Sequence, residues 1–154
     1  MQIRQAAIED LETIQELNQM LFDWEVEEFG VPWNRNWPQE KEQYFRTAIT
    51  DTEKYLTLVA EQNGKIVGYV ISVISNAPSY RTEKLFAEPE SMFVLPEFRG
   101  SIAAYRLVEK IKEWALSKKA DYIKFSTQAG NKRMLSLFRK RGFKDRQVVL
   151  EMKL

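Results

Sequence analysis

The sequence predicts an α/β protein with a mixed sheet, its elements running β-α-α-β-β-β-α-β-α-β. Three observations predict it. Ile8, Leu11, Ile14, Leu17 and Leu21 recur at three- and four-residue steps, the spacing of an amphipathic helix. Asn63-Gly64 separates two β-rich runs, YLTLVAEQ and KIVGYVISVIS, as in a two-residue hairpin. In FVLPEFRGSIAAYRLVEKI a strand end breaks at Pro96, a short loop follows, and a helix pattern begins. A chain of 154 residues is expected to form a single domain, residues 1–154.

In chain order, QIRQA alternates and reads as a short first strand. LFDWEVEEFGVPWNRNWPQE, an aromatic and acidic stretch that Gly30, Pro32 and Pro38 interrupt, reads as the end of the first helix plus an irregular loop. A second helix follows near residues 39–50, carrying Tyr44, Phe45 and Ile49. After the hairpin, LFAEPESMFVL reads as a strand with a bulge near Pro89. The long helix then sets Leu107, Val108, Ile111, Trp114 and Ala115 on one face. DYIKFST is a strand, expected to lie parallel to the Phe93 strand through a right-handed crossover. Residues 131–141 form a short helix with Met134, Leu135 and Phe138 inside, and VVLEMKL alternates as a last strand. Ligands of such sheets sit where a strand ends and the next helix begins.

Composition narrows the chemistry. Hydrophobic residues make up 44% and charged residues 29%, as in ordinary globular proteins. No apolar run approaches a membrane span and the N-terminus lacks a signal-peptide core, so a cytoplasmic protein without membrane contact is expected. The chain has no cysteine and no histidine. That removes thiol nucleophiles, imidazole bases and the usual zinc sites, so no metal is expected. Charge is uneven: residues 1–77 hold 6 Lys/Arg against 13 Asp/Glu, and residues 78–154 hold 17 against 9. An acidic half followed by a basic half suits one site where a cation meets an anion, or two oppositely charged partners, or a chance surface distribution. Aromatic interleaving of the basic half is lacking, so no nucleic-acid partner is expected.

The order of elements, with IRQAAIEDLETIQEL, VGYVISV, MFVLPEFRG and the downstream GNKRMLSLFRKRGFK, resembles the GNAT superfamily of N-acetyltransferases over nearly the whole chain. The resemblance implies transfer of an acetyl group from acetyl-CoA to a primary amine. A non-catalytic acyl-CoA-binding module is the alternative, and a homodimer stays open.

The family loop [Q/R]-x-x-G-x-[G/A] corresponds to Arg99, Gly100, Ser101, Ile102, Ala103 and Ala104, which are implied to hold the pyrophosphate at a helix N-terminus. Ile102 departs from the pattern's glycine, and a β-branched residue resists φ > 0. Ser101 suits an N-cap. Backbone groups of Met92, Phe93 and Val94 are implied to hold the acyl oxygen, and Asn131 to contact the pantetheine or cap its helix. Relatives with a glutamate base often carry it eleven residues before the loop, which reaches Glu88. Glu90 shares its face in a regular strand. Such a base matters because an amine of pKa about 10.4 is neutral in roughly one molecule in 10³ at pH 7. Phe138 stands where many relatives place a tyrosine acid. The acceptor side falls on Asp23, Trp24, Glu27 and Glu28, which points to a cationic small molecule.

Overall fold

Asn63 and Gly64 adopt left-handed φ values of 53° and 75°, the requirement of a tight turn that keeps the twist of its strands. They join β2 (Tyr55–Gln62) to β3 (Lys65–Asn76) in a computed structural model that describes residues 1–100 and 102–154. Ser101, expected in the phosphate loop, lies outside the described residues. The remaining elements are β1 (Gln2–Gln5), α1 (Leu11–Phe29), α2 (Trp37–Glu40), α3 (Glu42–Thr50), β4 (Leu85–Val94), α4 (Ile102–Ser117), β5 (Tyr122–Ile123) and α5 (Lys132–Lys140). The sheet runs β1-β2-β3-β4-β5, antiparallel through β4 and parallel between β4 and β5. Among the described residues, no helix is long and apolar enough to cross a membrane.

The core forms where sheet and helices share apolar faces. Val59, Val67, Tyr69 and Ile71 from the central strands meet Ile14 of α1, Phe45 of α3, and Leu107, Val108 and Ile111 of α4. All of these are essentially solvent-free, so each contributes about 1.5–3 kcal/mol of transfer free energy. The α4 residues are those the sequence spacing set on one face.

One expectation is met late and one fails. The first helix ends inside the acidic stretch and an irregular loop follows, but the helix runs as far as Phe29, where Gly30 takes φ 67° and ends it. Nothing before Gly30 breaks a helix, and the three–four spacing of Asn18, Leu21, Phe22, Glu25 and Phe29 carries straight on. The tail VVLEMKL forms no strand. Among the described residues, no backbone hydrogen bond ties residues 144–154 to the sheet, and their apolar side chains are exposed. Alternation equips a segment to lie on a sheet, but the ladder still needs a partner edge.

The entry to α1 is fixed by charge. Arg4 of β1 grips the Asp10 carboxylate with two bonds of 2.6 and 2.9 Å and donates to Glu61 of β2 at 2.9 Å. Asp10 also accepts the Ala7 N–H at 2.8 Å. The Arg4 hydrogen bond holds the Asp10 carboxyl below its usual pKa, against the opposing effect of burial. A depressed carboxylate contributes stability above its unfolded pKa of about 3.9 and loses it as pH falls through the folded value. Asp10→Asn should therefore cost about 1–3 kcal/mol at pH 7 in urea denaturation. That difference should shrink once pH drops below about 4 and vanish below the folded pKa.

Candidate active site

The parallel pairing of β4 with β5 stops almost at once. Phe86 faces Tyr122, Ala87 faces Ile123, and the Lys124 N–H reaches the Ala87 carbonyl at 2.9 Å. The next β4 residue on that side is Pro89, which has no N–H to offer. Beyond it the register against β3 slips: Ile71 pairs with Ser91 and Ser72 with Pro89, leaving Glu90 as the extra residue of a bulge. The Leu95 N–H bonds Val67 of β3 at 2.9 Å. By alternation, the backbone groups of Val94 and Met92 point the other way, into the gap.

That gap widens into a cleft of about 1110 Å³, room for a coenzyme and a second ligand together. Gly100 and Ala104 line it from the loop and the first turn of α4, with Arg99, Lys132 and Arg133 as its cations. Gly100 takes φ 90°, a conformation side chains resist, and Arg133 approaches it. The Arg99 guanidinium lies 4.7 Å over the Trp24 ring and 5.1 Å over Phe93, while its Nε donates to the Val94 carbonyl at 3.1 Å. Burial, then the nearby Arg133, lowers the Arg99 pKa, so an anion here would find a poorly hydrated cation. These groups fit a pyrophosphate: cations, a helix N-terminus and a glycine that keeps the approach clear.

The other end is aromatic and acidic. Phe22 stacks on Trp37 at 5.7 Å, and Trp37 meets Tyr44 at 5.5 Å. Glu25, Glu28 and Glu90 join these rings in the lining. Glu25 accepts the Trp33 indole N–H at 2.7 Å; burial pushes its pKa up and that bond pulls part of it back. The Tyr44 hydroxyl donates to Glu90 Oε2 at 2.8 Å. Burial, reinforced by Glu90, holds the Tyr44 pKa far above its ordinary value, so Tyr44 stays a donor.

Between the two ends lies a buried polar trio. Asn18 Nδ2 donates to the Tyr69 hydroxyl at 2.7 Å and to Ser91 Oγ at 2.9 Å, and the two hydroxyls bond each other. Tyr69 is sealed, and burial pushes its pKa up to about 12. Tyr69 therefore stays protonated, and its hydroxyl shares one hydrogen bond with that of Ser91.

The expected site residues divide. Met92, Phe93, Val94, Arg99, Gly100, Ala104, Asn131, Trp24, Glu28 and Glu90 line the cleft. Asn131 also caps α5, accepting the Met134 N–H at 3.2 Å, and donates to Thr127. Glu88 lies outside the lining, paired with Lys124 at 3.1 Å, because the bulge breaks the face it would share with Glu90. Asp23 and Glu27 turn to Arg35 at 3.2 and 3.5 Å. Ile102 is half-exposed beside the cleft, and Ala103 is buried in the core. Phe138 is core too, stacked on Phe125 at 3.7 Å. Tyr105 lines the cleft beneath Arg141, whereas Tyr80 is exposed and outside it. Glu25, read with its neighbours as an acceptor-side carboxylate, also lines the cleft; sequence reasoning gave no site role to Tyr44, Asn18 and Ser91, and of these the three–four spacing of the first helix would have found only Asn18.

The acetyltransferase (GNAT) family model matches residues 18–143. An uncharacterized N-acetyltransferase of Archaeoglobus fulgidus is 37% identical over 75 residues, 49% of this chain and 50% of its own. The matches span about half the length of the curated relatives. Among solved structures, a mutant of a Bacillus halodurans protein superposes with a TM-score of 0.87 at 22% identity, covering 100% of this chain and 99% of that one. An aminoglycoside N-acetyltransferase in complex with CoA gives 0.71 at 20% identity, covering 99% of each chain.

Removing the central donor tests the trio. Asn18→Ala should cost about 1–3 kcal/mol in urea denaturation at pH 7, because two buried hydroxyls lose their donor.

Proposed function

The chain belongs to the acetyltransferase (GNAT) family, and we propose that it moves the acetyl group of acetyl-CoA to a primary amine of a cationic small molecule. The observation that carries this reading is one continuous cleft with cations at one end and carboxylates among aromatic rings at the other. The CoA complex of the aminoglycoside N-acetyltransferase, whose fold this chain shares, supports it.

When bound, acetyl-CoA supplies an acyl group already activated as a thioester. Arg99, Lys132 and Arg133 bind its phosphates with the backbone at Gly100 and the start of α4. The Met92 and Val94 backbone groups orient the acyl carbonyl, the N–H donors facing its oxygen. Phe125, Met134 and Leu137 wall that stretch and exclude water.

Glu25 and Glu28 draw an ammonium to the aromatic end, and the faces of Phe22 and Trp37 add cation–π attraction. Glu90 is the base. Tyr44 occupies Oε2, which leaves Oε1 to take the proton from the amine directly or through a water. Glu88 would have to leave Lys124 to do the same.

Glu90→Gln keeps the shape and the Tyr44 contact but removes the proton acceptor. Its kcat should fall about 10²–10⁴-fold at pH 7 in a coupled thiol-release assay, and the loss should shrink as pH rises and free amine becomes plentiful. Glu88→Gln should stay within about threefold. A larger loss at Glu88, or turnover confined to neutral and anionic acceptors, overturns this assignment.

A further inference from the structure

We infer, resting on the acetyl-transfer reading above, that the cationic acceptor is a linear diamine whose two amines are joined by an apolar methylene spacer. One amine is held at Glu25 while the other is presented to Glu90. A row of rings joins these two carboxylates. Glu25 accepts the Trp33 indole N–H at 2.7 Å. Trp33 meets Phe22 at 6.5 Å, Phe22 stacks on Trp37 at 5.7 Å, and Trp37 meets Tyr44 at 5.5 Å. Tyr44 then donates to Glu90 at 2.8 Å. Every member of the row, with both carboxylates, lines the same cleft.

The row selects what can lie along it. Trp33 and Tyr44 have committed their donors to the two carboxylates. Between them stand the rings of Phe22 and Trp37, whose faces favour methylene groups over hydroxyls. The Asn34 amide, also in the lining, is engaged with Glu40 and with the Asn36 N–H. A polyhydroxylated spacer would be desolvated against ring carbon without new hydrogen bonds.

Charge calls for two cations rather than one. Asp23 and Glu27 on the same helix are held by Arg35, and Glu88 is held by Lys124. Among the described residues, no lysine or arginine pairs with Glu25, Glu28 or Glu90, all of which line the cleft. Burial pushes the Glu25 pKa up, so this carboxylate gains from a cation that arrives with the ligand. A monoamine placed at Glu90 would leave the far end of the row uncompensated. At the near end the nitrogen meets a further acceptor. Asn18 lines the cleft, is only 2% exposed, and donates to Ser91, the neighbour of Glu90. Its Oδ1 has no hydrogen-bond partner, and an ammonium brings three donors. In the reaction the near ammonium gives one proton to Glu90. Its nitrogen forms the C–N bond as the thioester C–S bond breaks, and its second proton leaves with coenzyme A as the thiol. The far ammonium is unchanged.

The test is turnover of linear diaminoalkanes of increasing length with acetyl-CoA, each against the n-alkylamine of equal length, with calorimetry of the same amines in the presence of coenzyme A. The best diamine should exceed its monoamine about 10–100-fold in kcat/KM, mainly through KM. Glu25→Gln keeps an acceptor for Trp33 and should bring the two amines within about threefold of each other. Glu27→Gln removes the same charge from the Arg35 pair and should preserve the diamine's advantage. Equal kcat/KM for diamine and monoamine overturns the inference and leaves acetyl transfer standing. So does kanamycin outrunning every diamine, or an advantage that both variants reduce alike. If no amine is turned over, acetyl transfer fails and calorimetry decides separately: the diamine should still bind about tenfold tighter than the monoamine, and equal binding overturns the inference.

Discussion

The parting of β4 from β5 governs everything the molecule offers a ligand. Parallel strands that stayed paired would spend their backbone groups on each other. Here Pro89 occupies the first position after Ala87 that should have donated across, so the ladder ends there. The extra residue at Glu90 then shifts the phase of β4. The shift turns Met92 and Val94 toward the gap and carries the Glu90 side chain into the cleft, away from the face of Glu88. One proline and one bulge thus create the opening, the backbone donors inside it and the carboxylate at its rim.

The walls of the opening depend on α1 running to Phe29. A helix that stopped near Leu21 would leave Trp24, Glu25 and Glu28 in a loose segment. Continued to Phe29, it presents Asn18 to the buried hydroxyls, Trp24 to Arg99 and Glu25 to Trp33. Arg99 in turn bonds Val94, so the helix, the gap and the loop before α4 are joined through one guanidinium. The uneven charge of the two chain halves acquires a place: carboxylates of the first half and cations of the second face the same cleft.

Much of the fold was legible because local physics decided it. Asn63-Gly64 specifies its turn by tolerance of positive φ, and the α4 face repeats at helical spacing whatever lies around it. The site was legible only in part. The loop from Arg99 to Gly100 announces itself by its position between strand and helix. The choice between Glu88 and Glu90 does not, since a count along the chain assumes a regular strand and a bulge resets it. Tyr44 lies 46 residues from Glu90, and no local pattern links them. The tail was read as a strand from its alternation, yet pairing is a property of the edge it meets and not of the segment.

In the proposed function the gap backbone of Met92 and Val94 receives the acyl end of acetyl-CoA. Amide resonances followed by ¹⁵N NMR during titration with acetyl-CoA test this most directly, with desacetyl coenzyme A as the reference. Met92 and Val94 should differ most between the two ligands, while Phe93 and Leu95, on the side turned to β3, should differ little. A difference concentrated on the ladder-bonded amides, or none anywhere along β4, would contradict the account.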